Sequence, residues 1–114
     1  MQQAKELADR LNEVIKKSEE YQRYIETDRC LKNEPELYEK YNEFRKRNYD
    51  LQFSEGDSNL YDEVFNLVKE YDTILHDSVV NDFILAERRF CYMMQEVYTA
   101  LSEGLEMDYD FFEK

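Results

Sequence analysis

Glycine and proline are nearly missing from this chain, with two and one in 114 residues. Strands joined by tight turns need those residues, so a many-stranded fold is excluded and helices remain. Tryptophan is absent, and the aromatic bulk must come from ten tyrosines and seven phenylalanines. A tyrosine buries its ring while its hydroxyl reaches water, which suits a small bundle with a shallow core. Histidine occurs once, as His76, and the residue three before it is Thr73. The paired Glu-x-x-His motifs of a carboxylate-bridged metal centre are therefore not available. The two cysteines, Cys30 and Cys91, are far apart and belong to no C-x-x-C pair, which excludes a four-cysteine iron–sulfur site within one chain. Both fall on apolar stripes and read as small core residues in a reducing cytoplasm. There is no glycine-rich phosphate loop. No apolar run approaches the length of a membrane span, and the chain starts on a charged amphipathic pattern rather than a signal peptide.

Charge of one sign is what the chain has in excess. Its net charge is −12, and the imbalance is local. Residues 1–53 hold 11 basic and 12 acidic side chains, residues 54–114 hold 4 and 15. Such a surface repels phosphate and anionic lipid, so neither direct nucleic-acid binding nor membrane association is expected. The one basic cluster, Arg45, Lys46 and Arg47 with Lys40 a turn back, reads as a solvated helix face rather than an anion site.

The apolar spacing predicts five helices. The first spans about Gln3 to Lys17, with Ala4, Leu7, Ala8, Leu11, Val14 and Ile15 on one stripe and Lys16 and Lys17 complementing the dipole at its end. Ser18 followed by Glu19 and Glu20 caps a second helix, whose face is Tyr21, Tyr24, Ile25 and Leu31 with Asp28 interrupting, and which ends near Asn33. Pro35 suits the first turn of a third, in which Leu37, Tyr41, Phe44, Asn48 and Leu51 repeat at 4-3-4-3. Asn48 on that seam either fixes register when buried or is simply exposed. Residues 54–59 form the one clear loop, and a fourth helix from Leu60 to Leu75 presents Leu60, Val64, Leu67, Val68, Tyr71, Ile74 and Leu75.

The fifth helix, from Ser78 to Gly104, organises the rest. Val80, Ile84, Glu87, Cys91, Met94, Tyr98 and Leu101 are spaced 4-3-4-3-4-3, and Phe83, Phe90 and Val97 widen the seam. Ser78 is the expected N-cap and Gly104 the expected left-handed C-terminal residue, with Leu105 folding back as an apolar clasp. At about 37 Å the helix exceeds the roughly 34 Å diameter of a compact chain this size. It should overhang its own bundle, and Phe83, Phe90, Met94, Val97 and Leu101 are the candidate interface for a second copy or another protein. Glu87 either meets Arg88 or Arg89 of a neighbour or reaches water at the seam's edge. Residues 1–105 read as one helical domain, and 106–114 as an acidic, aromatic tail that is either frayed or docked.

With the helices placed, the stretches AKELADRLNEVIKKSEEY, NEPELYEKYNEFRKRNYDLQ and VVNDFILAERRFCYMMQEVYTAL resemble the YlbF/YmcA family of small helical bacterial regulators, over about residues 4–105. The resemblance implies an all-α, self-associating fold acting inside protein complexes that influence competence, biofilm formation and sporulation through RNA processing. Some such complexes hold iron–sulfur clusters, and some relatives have a cysteine-rich tail; here the tail is DYDFFEK, without cysteine. The expectation is an all-α, five-helix, non-enzymatic cytoplasmic adaptor. It has no cofactor or catalytic residues, forms a homo-oligomer, and takes other proteins as partners, RNA-processing machinery among them. The competing expectation is a redox or iron–sulfur sensing subunit using Cys30 and Cys91 across an oligomer.

Overall fold

The computed structural model describes residues 1–53 and 59–106. The chain is all-α: six helices and no strand among those residues. They are α1 (Gln2–Lys17), α2 (Glu19–Lys32), α3 (Pro35–Gln52), α4 (Leu60–Glu70), α5 (Asp72–Leu75) and α6 (Ser78–Ser102). The loop expected over 54–59 and the tail expected over 106–114 lie outside the described residues except at Asn59 and Glu106.

Local chemistry accounts for the boundaries. The Ser18 hydroxyl donates to the Ile15 carbonyl at 2.6 Å and accepts from the Tyr21 N–H at 3.2 Å. One side chain thus closes α1 and opens α2. Pro35 opens α3, where its missing N–H costs nothing. The cap of α6 lies one residue earlier than expected. Asp77, in extended backbone, accepts from the Val79 N–H at 2.9 Å, and its carboxylate also meets the positive end of the helix dipole. Gly104 takes the left-handed conformation with φ +82°, as expected. Leu105 forms no apolar clasp. It is 63% exposed, because the end of α6 presents no covered face for it to close against.

The count of five helices is corrected to six. Tyr71, at φ −101° and ψ 21°, interrupts the predicted Leu60–Leu75 helix. Its ring packs on Phe44 of α3 at 5.6 Å and its hydroxyl accepts from Arg47 at 3.3 Å. With Tyr71 held on α3, the following turn swings Ile74 and Leu75 onto the core. Tertiary packing overrides a continuous helical pattern here.

The core is small. Leu31, Tyr41, Val80 and Phe83 are buried together, with Tyr24, Leu37, Tyr38, Phe44, Ile74, Leu75, Val79 and Ile84 packed around them. The dominant pair is α2 against α6, running antiparallel, with ring centroids 5.2 Å apart for Tyr21–Phe90 and 5.5 Å for Tyr24–Phe83. α3 joins through Tyr41, 6.1 Å from Phe83. The molecule measures 50 × 42 × 17 Å with a radius of gyration of 18.6 Å. A compact chain of this length would have about 13 Å. Its thinnest dimension admits about two helix layers, so every helix keeps a face toward water.

Candidate protein-interaction surface

Thinness decides where the singled-out residues lie. On α6, Val80, Phe83 and Ala86 are buried, and Phe90 is half-buried against Tyr21 and Tyr24. The cover ends there. Met94 and Val97 are half-buried, while Leu101 is 58% and Tyr98 63% exposed. Of the five interface candidates, Phe83 belongs to the chain's own core and Phe90 to its α2–α6 contact. Met94 and Val97 are half-buried like Phe90, and Leu101 is the candidate left exposed. α1 is the second open face. No residue of it is buried, and Leu7 and Val14 are 62% and 65% exposed. Its stripe was legible in sequence, but not that it lies uncovered.

A groove of about 880 Å³ runs beside this end of α6, between the first turn of α2 and the outer side of α6. Glu19, Glu20 and Arg23 line one wall, and Arg88, Arg89, Tyr92, Met93 and Glu96 the other. The Tyr92 hydroxyl is hydrogen-bonded to the Glu96 carboxylate, which raises its pKa above the ordinary tyrosine value. The lining is mixed in charge and holds one exposed aromatic, a composition suited to a protein side chain.

The basic cluster of α3 is more than a solvated face. The Arg45 guanidinium lies 4.7 Å from the Tyr41 ring centroid and 5.7 Å from that of Phe83, donates to the Asn42 side-chain oxygen, and stands 4.0 Å from the Glu87 carboxylate. Arg47 pairs with Glu70 at 2.9 Å and donates to the Tyr71 hydroxyl, and these two hydrogen bonds, that to Glu70 first, hold its pKa above the usual arginine value. These two arginines tie α3 to α6 and to α4, leaving Lys46 to water. Glu87 meets Arg45 of its own chain and keeps 37% of its side chain exposed at the seam's edge. The readable signal was a carboxylate on an apolar seam, which requires a cation nearby. Asn48 is half-buried.

The cysteines were expected to be core residues; both are free and exposed. Cys91 adjoins Phe90, whereas Cys30 lies nine residues along α2 from Tyr21, so they stand about 14 Å apart along the helices. Among the described residues no three His, Cys, Asp or Glu side chains are grouped to hold a metal ion. No helix among them is long and apolar enough to cross a membrane.

These features define an open, all-helical protein whose apolar helix faces outrun its own core. The chain belongs to the YlbF/YmcA family: residues 4–106 match the family model described as control of competence regulator ComK, YlbF/YmcA. It is similar to the UPF0342 protein STH1710 of Symbiobacterium thermophilum, 24% identical over 106 residues that cover 91% of this chain and 95% of that one. No solved structure matches it.

Proposed function

We propose that this chain is a non-enzymatic regulatory adaptor of the bacterial cytoplasm, working through self-association and through contact with other proteins. The observation that carries this reading is the pair of uncovered apolar faces on α1 and the end of α6. Exposed apolar surface of this extent on a small chain is the mark of an interaction site. The family's description as a control of competence regulation supports a regulatory role. A net charge of −12 turns the partner away from nucleic acid and toward protein. RNA-processing proteins are the partners we propose, reached through the α2–α6 groove with its Arg88, Arg89 and Tyr92.

The test is affinity purification of tagged protein from its native cytoplasm, with mass spectrometry of what stays bound. Ribonuclease or other family subunits should be recovered at near-stoichiometric amounts, and Tyr92→Ala with Arg89→Glu should release them. Recovery of the chain alone would end the adaptor reading.

A further inference from the structure

The groove between the start of α2 and the outer side of α6 holds charges of both signs that do not meet. Among the described residues, Glu19 and Glu20 on one wall and Arg88 and Arg89 on the other take part in no ion pair or side-chain hydrogen bond. Their helices hold them apart across the groove. The antiparallel course of α2 and α6, with Tyr21 against Phe90 and Tyr24 against Phe83, sorts these charges by level. Arg23 reaches Asp82 at 3.9 Å, so it stands with Arg88 and Arg89 at the end nearer the start of α6. Glu19 and Glu20 lie one turn earlier on α2 and therefore farther along α6, toward Glu96. One end of the groove is cationic and the other anionic. Three acidic and three basic side chains line it, a balance found on a chain whose net charge is −12. The floor between the ends is apolar: Ala86 is 3% exposed and Met93 half-buried, with Tyr92 beside them.

We propose that this groove takes a helix of another protein with carboxylates at one end, cationic side chains about two turns on, and one apolar side chain between. The inference rests on the reading of the groove as the partner's site and names the chemistry of what enters it. Charge fixes the pattern. A wholly acidic segment would set like charge against Glu19, Glu20 and Glu96, and a wholly basic one would do so against Arg88 and Arg89. Nucleic acid, uniformly anionic, meets the first of these refusals. Spacing fixes the helix. Arg89 and Glu96 are seven residues apart on α6, about 10 Å along its axis. Side chains seven residues apart on a partner helix share one face and span the same distance. In an extended segment that distance takes about three residues, which turns the two side chains to opposite faces. The Glu96 carboxylate is already hydrogen-bonded to Tyr92, and Arg23 is paired with Glu26 and Asp82. The charges free to meet the partner are therefore Glu19 and Glu20 at one end and Arg88 and Arg89 at the other. Between them Tyr92 and Met93 offer the aromatic and thioether surface that protein interfaces favour. Exposed charges of this kind choose the partner more than they tighten its hold.

The test is an NMR titration of the full, isotope-labelled chain with three stapled alanine helices of equal length. The first carries two glutamates, a central leucine, and two arginines about seven residues after the glutamates. The second has glutamates at both ends, and the third has arginines at both. The first helix should shift the backbone amides of Glu19, Glu20, Arg23 and residues 86–96, and should bind about tenfold tighter than either of the others. Equal binding of all three, or no binding of the first at millimolar peptide, would overturn the proposal. So would shifts outside the groove. If the same amides shift when the chain alone is concentrated, a second copy is the occupant and the proposal falls. A charge reversal supplies the other arm. Arg88→Glu with Arg89→Glu, at exposed sites, leaves the groove without a free cation and the core untouched. Preference should then pass to the arginine-ended helix, a gain that a misfolded variant would not show. An unchanged order of preference would reject the assignment. If the helices fail while other proteins still co-purify at near-stoichiometric amounts, the adaptor reading stands and only this occupant is lost.

Discussion

Tyr41 concentrates the energetics of the core in one side chain. It is 5% exposed, lies against Phe83 and Phe44, and carries the Arg45 guanidinium over its ring. Burial raises its hydroxyl pKa above the ordinary 10.0; Glu87 adds to the rise and Arg45 opposes it. A group whose pKa is raised by folding stabilises the fold below its unfolded value and loses that contribution as pH climbs through the folded one. The chain should therefore lose stability at pH above 10, beyond the loss its exposed tyrosines cause. Tyr41→Phe should flatten the decline in thermal midpoint over that range, and Tyr49→Phe, at an exposed site, should leave it unchanged. An equal decline in all three proteins would remove Tyr41 from the account. Single-residue reading of the sequence placed Tyr41, Leu31 and Val80 inward correctly, because each lies on the side of its helix that meets a neighbour. It placed Cys30 and Cys91 inward wrongly, because a stripe position records apolarity and not whether a neighbour arrives.

Among the elements, the α1–α2 joint turns on a single hydroxyl. Ser18→Ala removes the N-cap of α2 and the bond to the last turn of α1, and should cost about 1 kcal/mol in urea unfolding. Replacement by Asp, which keeps the cap acceptor, should recover most of that. If Ser18→Ala and Ser18→Asp unfold alike, capping does not set the joint. The ends of α2, α3 and α6 were readable from Ser18, Pro35 and Gly104, since caps are local chemistry. The division of α4 from α5 was not. Residues 60–75 keep an unbroken helical period, and only the Phe44 and Arg47 contacts of Tyr71 show why the helix turns there.

For the whole molecule, a thin two-layer body with a net charge of −12 makes association depend on ionic strength. Like-charged copies repel at long range, and salt shortens that range to about 8 Å at 0.15 M. Sedimentation should show self-association strengthening from about 20 mM to 300 mM NaCl, opposite to the trend of a contact held by ion pairs. Weakening with salt would mean that charge pairs, and not apolar stripes, hold the copies.

The sequence by itself determined that the chain is helical, where most helices start and stop, which side of each is apolar, and which family it belongs to. Those are properties of short windows: the scarcity of glycine and proline, the caps, and the 3.6-residue period. Only the tertiary structure decided which apolar sides are spent inside the chain. Phe83 and Phe90 are covered by α2 and α3, while Tyr98 and Leu101 of α6 and Leu7 and Val14 of α1 stand exposed. The reason is geometric. Burial needs a second surface within contact distance, and the extended backbone at Ser18 turns α1 aside at the level where α6 still needed a neighbour.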